Sequence, residues 1–189
     1  MENLRDPKDV IIGDKTLAEL LDQHKKWLRD NNIVDDNGTI PLHFSYNEPI
    51  GQPINLSYLD LSNVNLRGAN LAFAIMVNVN LDGSDLQSAN LRCADLFRSN
   101  LSHVNLTSAT MCYANLSWST IKYTNLSDAN LIGADLSCAM VDHTKLNGAN
   151  LCIATMHNAS LSDVDCENCS FTNADLTQTI MDKKENDTK

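Results

Sequence analysis

Two groups of side chains in this 189-residue sequence could do chemistry. Cys166 and Cys169 form a Cys-x-x-Cys motif, a spacing found in zinc sites and in redox-active dithiols. His103 and His143 lie 40 residues apart with Tyr123 midway, and imidazole is a common metal ligand. No second Cys-x-x-Cys motif completes a tetrahedral set of ligands. What either group can do depends on where the fold places it.

A five-residue repeat runs through most of the chain. From Leu56 to Met181 an apolar residue recurs at every fifth position, which makes 26 consecutive pentapeptides over residues 54–183. The recurring residue is Leu in 18 of them, the residue two earlier is Ala in 13, and the residue one earlier is Asn or Asp in 17. This pattern, as in Ala89-Asn90-Leu91, accounts for much of the unusual content of 25 Leu, 23 Asn and 19 Asp.

A period of five fits neither regular element. On a helix the Leu residues would spread around the axis, and on a straight strand they would alternate between faces. The pattern therefore predicts a short extended piece, with Ala and Leu pointing inward, followed by a two-residue corner. Corners repeated at this rate wind the chain into an all-β solenoid whose coils lie about 4.8 Å apart.

These residues resemble the pentapeptide-repeat family. The resemblance implies a right-handed quadrilateral β-helix with four pentapeptides per coil, hence about 6.5 coils and a rod about 31 Å long at the spacing between strands. Residues 20 apart then stack in columns. The inward core ladder is expected to include Leu66, Leu86, Leu106, Leu126 and Leu146.

The two ends depart from the repeat. Residues 1–53 are predicted to form an N-terminal cap with one helix at about 15–30, a turn over Asn31–Gly38 and an extended lead-in from Thr39 to Ile54. Thr16 and Glu19 form a capping box, and Leu17, Leu20, Leu21, His24 and Leu28 share one face of the helix. A partner-docking role for this helix is the alternative. Residues 184–189 are expected to be a frayed polar tail.

The repeat changes the interpretation of the chemical groups. In phase, Cys166 takes the Leu position and Cys169 the Ala position, so both are expected inside the core as reduced thiols. Cys112 and Cys152 are two coils apart, roughly 9.6 Å, which is too far for a disulfide. His103, Tyr123 and His143 are expected to form an exposed ladder. We therefore expect no enzyme activity, no catalytic residue, no cofactor and no metal.

The outward residues are the remaining candidates for function. One face collects apolar side chains that a protein partner could contact, and a contiguous apolar stripe often marks an interface. The next face adds two aromatic residues. The partner-surface candidates are Phe73, Cys93, Tyr113, Ile132 and Ile153 on the first face, with Cys112 and Cys152 beside them, and Phe97 and Trp118 on the second, with Tyr58 and Val77.

Composition limits the kinds of partner. The net charge of −10 argues against direct binding of nucleic acid or an anionic membrane, and no apolar run is long enough to span a bilayer. Without an apolar signal core near the start, the expected location is the cytoplasm. The sequence therefore favours a non-catalytic interaction or scaffold module with a protein partner that it does not name.

The family resemblance adds an alternative, because some members imitate DNA and bind type II topoisomerases, either inhibiting gyrase or protecting it from quinolones. Only part of the acidity here supports that alternative, since ten of the 24 acidic residues precede residue 54 and the repeats carry −6. Those members also dimerise through their C-terminal ends. In this chain Phe171, Leu176, Ile180 and Met181 could form an apolar end face for a homodimer.

Overall fold

The computed structural model describes residues 4–31 and 51–182. Two short strands form an antiparallel hairpin that leads into one helix, and four later strands form a parallel sheet in chain order. The described elements are β1 (Ile11–Ile12), β2 (Lys15–Thr16), α1 (Leu17–Asp30), β3 (Thr120–Lys122), β4 (Met140–Asp142), β5 (Ser160–Ser162) and β6 (Ile180–Asp182).

The repeats form a right-handed quadrilateral β-helix. Parallel bridges join residues 20 apart, from Asn55 with Ile75 to Thr155 with Asp175, so one coil takes four pentapeptides. Leu86 shows the two recurring bonds: its N–H donates to the Asn105 carbonyl of the next coil at 2.8 Å, and its carbonyl accepts from the Ala89 N–H at 3.0 Å across the corner. Most extended pieces are so short that they form single bridges, and only β3–β6 are three-residue strands.

The Asn and Asp residues before each Leu stabilise the corners. Asn115 is typical, since its Oδ1 accepts the Ser117 N–H at 3.1 Å and its Nδ2 donates to Asp95 Oδ1 in the preceding coil at 2.9 Å. The first bond is the Asx turn that Asn and Asp favour. The second links neighbouring coils, so one side chain satisfies a corner and a coil-to-coil contact together.

The core is a set of stacked inward columns. Leu66, Leu86, Leu106, Leu126 and Leu146 are each at most 2% exposed, and each contributes roughly 1.5–3 kcal/mol by burial. At most positions where Ser or Thr replaces the small inward residue, its hydroxyl donates to a backbone carbonyl 23 residues earlier, whereas Ser119 donates to the Leu116 carbonyl. The examples are Ser84 to Leu61 at 2.6 Å, Thr124 to Leu101 at 2.5 Å and Thr144 to Ile121 at 2.7 Å.

Helix α1 packs on the first coil. The Thr16 hydroxyl accepts the Glu19 N–H at 3.1 Å and the Glu19 carboxylate accepts the Thr16 N–H at 2.8 Å, which completes the predicted capping box. Leu17, His24 and Leu28 are buried on one face of the helix. The helix therefore begins at Leu17 and ends at Asp30, within two residues of the sequence-based expectation.

His24 anchors this helix to the β-helix with both ring nitrogens. Nε2–H donates to the Ala72 carbonyl at 2.9 Å, and Nδ1 accepts the Ile54 N–H at 3.2 Å. Burial is the main reason that the pKa of His24 falls from its ordinary value of 6.5 to about 4, against the opposing effect of the bond to Ala72. The side chain is therefore neutral at pH 7, with the proton on Nε2.

Arg5 extends the coil ladder beyond the repeats. Its N–H donates to the Asn63 carbonyl at 2.6 Å, its carbonyl accepts the Asn65 N–H at 2.9 Å, and its guanidinium donates to the carbonyls of Ser62 and Asp60. These hydrogen bonds satisfy backbone groups of the first coil, which has no preceding coil to pair with. The end of the solenoid is therefore not an open strand edge at this position. The sequence pattern gave no indication of this contact.

The C-terminal coil is more exposed than the N-terminal one. Leu176, Ile180 and Met181 are exposed and Phe171 is partly buried. The predicted turn over 31–38 beyond Asn31, most of the predicted lead-in over 39–54 and the predicted tail over 184–189 lie outside the described residues. Within residues 4–31 and 51–182, no helix is long and apolar enough to span a membrane.

Candidate functional site

Each described corner of the β-helix has one residue in a left-handed backbone conformation. The second residue after each inward apolar residue has positive φ, from residue 58 to residue 178. Glycine fits this conformation without strain, yet 21 of the 25 corners carry another residue. Ile153, with φ of 52°, is the β-branched residue among these described corners, and β-branched residues rarely adopt such angles.

Two neighbouring corners carry four of the ten exposed large hydrophobic side chains of the described residues, namely Tyr58, Tyr113, Trp118 and Ile153. We name the first the Tyr113 corner, which is the stacked positions 72–73, 92–93, 112–113, 132–133 and 152–153. We name the second the Trp118 corner, which is the positions 57–58, 77–78, 97–98, 117–118 and 137–138. Between the two lies one face of the β-helix, whose outward column is Ile75, Asp95, Asn115, Asp135, Thr155 and Asp175.

Tyr113, Ile153 and Trp118 protrude from these corners. Their exposed fractions are 52%, 48% and 56%. The Tyr113 ring lies over Gly133, where an added Cβ would come within 2.6 Å of the ring atom Cδ1. Gly133 is therefore required for the position of the Tyr113 ring, which leans from its own coil towards the coil of Ile153.

Among the other candidates, Tyr58 is 77% exposed, whereas several lie closer to the core. Phe97, Ile132 and Cys93 are partly buried. Phe73 packs with Ala72 and Leu28 of α1, so the helix covers the first coil of the Tyr113 corner. Phe73 is therefore partly covered by the helix, and its contact with a partner stays a prediction.

The cysteines beside Tyr113 are not reactive groups. Cys112, expected on the surface, is 8% exposed because its thiol folds back towards the Asn130 carbonyl. Burial raises the pKa of Cys112 and also that of Cys93, with Arg92 opposing the effect at both. Both side chains are therefore protonated thiols at neutral pH and not nucleophiles.

Two arginines belong to these corners and were missed by the sequence analysis. The guanidinium of Arg98 lies 5.1 Å from the Phe97 ring centroid and 5.9 Å from that of Trp118, and Arg92 lies 5.9 Å from the Tyr113 ring centroid. Contacts of this type are worth about 0.5–1 kcal/mol at exposed sites. The 20-residue column that joins Arg98 to Trp118 was a signal in the sequence that could have revealed this pair.

The face between the corners is polar and acidic. Asp95 accepts from Asn115 and from the Phe97 N–H, and Asp135 accepts the Ser137 N–H. Hydrogen bonds from the Thr177 hydroxyl and then its N–H lower the pKa of Asp175. The combined surface has apolar edges on either side of a row containing carboxylates.

The corner that follows the Trp118 corner carries the predicted aromatic ladder. His103 stacks on Tyr123 with ring centroids 5.3 Å apart, and Tyr123 packs on His143 at 4.9 Å. His143 lies beside Asp142 and Asp163, with one potential ligand atom from each of the three within 4.8 Å of the others. The Tyr123 ring lies between the two histidines, so their imidazoles do not bind the same metal ion.

The Cys166–Cys169 motif differs from its prediction. The two residues form a disulfide with a Cα–Cα distance of 5.4 Å, and both are partly buried. A three-residue step across a corner brings the two Cα atoms within the range that a disulfide requires. The expectation of reduced thiols is wrong for this pair and holds for Cys93, Cys112, Cys138 and Cys152.

Comparison with known proteins gives a matching family model and several similar solved structures. The family model for pentapeptide repeats matches eight copies between residues 54 and 183. A pentapeptide repeat protein of the Arabidopsis thaliana thylakoid lumen is 23% identical with a TM-score of 0.52, covering 58% of this chain and 79% of its own. A pentapeptide repeat protein from Nostoc PCC 7120 is 25% identical with a TM-score of 0.45, covering 62% and 100%.

A third solved structure is QnrB1, a plasmid-mediated fluoroquinolone resistance protein. It is 20% identical with a TM-score of 0.35, covering 68% of this chain and 77% of its own. The comparison with curated proteins found no significant match. The family match covers more than half of the chain and agrees with the coils of 20 residues; the chain belongs to the pentapeptide-repeat family.

Proposed function

We propose that the chain is a non-catalytic protein-interaction module that presents the Tyr113 corner and the Trp118 corner to a protein partner. Members of its family are in general non-catalytic structural modules of the protein-interaction type. The observation that carries the proposal is the exposure of Tyr113, Trp118 and Ile153 in left-handed backbone conformations.

The backbone conformation of Ile153 has a cost in free energy. A non-glycine residue held in this region costs on the order of 1–3 kcal/mol, and a side chain that remains about half exposed recovers only part of that through burial. Folding alone would favour Asn or Gly at this corner, as at Asn158 and Gly133. An apolar side chain kept there at a cost in stability supports a role in binding, in which its remaining surface becomes buried.

The surface has the composition of an interface. Aromatic residues and Arg are enriched where binding energy is concentrated, and Arg92 and Arg98 stack on the aromatic rings of the two corners. Stacking restricts the side chains before binding, which lowers the entropy lost when a partner docks.

The test is affinity capture, with mass spectrometry, from extracts of the cells that make the protein. The variant Tyr113→Glu/Ile153→Glu places two charges on the Tyr113 corner and is expected to lose the captured partner. The control Ser88→Glu/Ser108→Glu places the same charge on exposed corners of another column and is expected to retain it. Equal recovery with both variants would contradict the proposed surface, provided that their circular dichroism spectra are unchanged.

The alternative is a DNA-mimicking binder of a type II topoisomerase. The described acidic side chains are spread over several columns: Asp82 and Asp142 share one, while Asp95 and Asp135 share another. Asp85 is 3% exposed and paired with Arg67. This distribution supports the interaction module over an imitation of duplex DNA. We expect neither inhibition of gyrase supercoiling nor protection from a fluoroquinolone at micromolar protein, and either effect would favour the alternative.

We propose that a second copy of the chain binds the C-terminal end face to form a homodimer. The support for it is the exposure of Leu176, Ile180 and Met181 on the last described coil, whereas Arg5 and α1 cover the first. If the end face pairs, Ile180→Glu should convert a dimer to a monomer in sedimentation equilibrium. A wild-type protein that is monomeric at all concentrations would exclude the homodimer.

A further inference from the structure

We infer that His143 and Asp163 bind a zinc ion, with Asp142 as the residue that positions the histidine. The three side chains belong to two successive coils on the corner that carries the aromatic ladder. This site lies outside the Tyr113 and Trp118 corners, so the inference is independent of the proposed interaction surface.

Asp142 fixes which nitrogen of His143 is available. The Nδ1 atom lies 2.6 Å from Asp142 Oδ1, and because a carboxylate only accepts, Nδ1–H is the donor. In the neutral imidazole the lone pair is then on Nε2. This arrangement of a carboxylate, a histidine and a metal recurs in zinc proteins, where the carboxylate orients the ring and raises its basicity.

Asp163 lies next to that nitrogen. Its Oδ2 is 3.5 Å from His143 Nε2, so two atoms that can act as metal ligands lie close together. Two ligands about 2.1 Å from a tetrahedral zinc ion lie about 3.4 Å from each other. The observed separation therefore fits a zinc ion bridging the two atoms, with water completing the coordination. A nitrogen ligand favours zinc over magnesium or calcium, which prefer oxygen ligands alone.

The β-helix holds the two ligands in register. The His143 N–H donates to the Ser162 carbonyl at 2.9 Å, which ties the corner of His143 to the coil of Asp163, and the Tyr123 ring packs on the imidazole. Lys122 lies 4.0 Å from Oδ2 of Asp142, the oxygen that does not face the imidazole. The cation of Lys122 therefore contacts the positioning residue and not the pair of proposed ligands.

His103 provides a matched control within the same column. Its Nδ1 lies 2.8 Å from Asp82 Oδ1, so it resembles His143 in its carboxylate partner and in its stacking on Tyr123. The residue one coil beyond it is Tyr123, whereas the residue one coil beyond His143 is Asp163. His103 therefore has one half of the arrangement and is not expected to hold zinc.

The experiment is a titration of the full-length, disulfide-bonded protein with zinc chloride, followed by the imidazole proton and carbon resonances in NMR. The His143 signals, assigned by their loss in His143→Gln, should shift and saturate while those of His103 move little. Asp163→Asn should weaken the fitted affinity at least about tenfold and Asp142→Asn about 10- to 100-fold, whereas His103→Ala should leave it within about twofold. Circular dichroism confirms that each variant is folded.

Three results would overturn the inference. The first is a set of His143 resonances that do not move at millimolar zinc. The second is an equal response of His103 and His143, which would indicate adventitious binding to surface imidazoles. The third is an affinity unchanged in Asp163→Asn, since the proposed site requires that carboxylate.

Discussion

The contact of His24 with the first coil predicts that the N-terminal cap loosens in mild acid. His24 is 2% exposed and uses both ring nitrogens, donating to Ala72 and accepting from Ile54. A second ring proton would point at the Ile54 N–H, so the folded protein disfavours the protonated form. The unfolded chain takes up that proton freely, and lowering the pH therefore favours unfolding.

The magnitude follows from the two pKa values. The pKa of His24 is lowered from 6.5 to about 4 in the folded protein, so the histidine contributes its full stability above pH 6.5 and loses it progressively down to about pH 4. Linkage gives a loss of about 2 kcal/mol between pH 7.5 and pH 5, and about 3.4 kcal/mol below pH 4. The free energy of unfolding therefore rises with pH between about pH 4 and pH 6.5.

The assay is urea unfolding at a series of pH values, followed by the fluorescence of Trp27. This residue stacks on His24 with ring centroids 5.6 Å apart, and a Trp118→Phe background removes the other tryptophan. The variant His24→Gln cannot titrate, so its stability should depend on pH about 2 kcal/mol less than that of the parent over pH 7.5 to 5. The control His157→Gln should keep the parent slope.

An equal pH dependence in the parent and in His24→Gln would refute the reasoning. It would mean either that the His24 imidazole is solvated in the folded protein or that α1 detaches from the first coil without changing the protonation of His24. If the pH dependence disappears in His157→Gln instead, His157 and not His24 is its source.

Three other outcomes are expected from the same structure. Leu106→Ala should lower the free energy of unfolding by about 2–5 kcal/mol, because the side chain is fully buried in its column. The control in urea unfolding is Thr107→Ala, which truncates a partly buried outward side chain and should cost less. Ile153→Gly should raise stability by about 1 kcal/mol, because it relieves the left-handed strain, and a lower melting temperature would contradict this. Thiol titration of the denatured, unreduced protein should find four free thiols, rising to six on reduction of Cys166–Cys169, and six before reduction would exclude the disulfide.

The periodic residues made the coil predictable. The position of Leu106 in a buried ladder follows from the repeat, because each pentapeptide takes the same conformation. The start of α1 after Thr16 follows from its capping box. The aromatic ladder also followed, since residues 20 apart must stack once the coil length is known.

The candidate surface was predictable only in outline. The columns showed which residues share a corner, but not that α1 would cover Phe73 or that the Cys112 thiol would turn inward. These outcomes depend on the non-repeating N-terminal segment and on side-chain rotamers, for which the period of five contains no information. The stacking of Arg98 on Trp118 likewise required the distance between two neighbouring coils.

The sequence by itself determined the solenoid, its inward Leu columns and the cap with one helix, because those depend on local hydrogen bonding and on burial that every repeat satisfies in the same way. Only the tertiary structure decided that Arg5 would continue the coil ladder, that His24 would bond to both Ile54 and Ala72, and that His143 would face Asp163. Each of these contacts joins residues whose approach depends on the relative placement of coils, ends and rotamers, and that placement is set by packing in three dimensions.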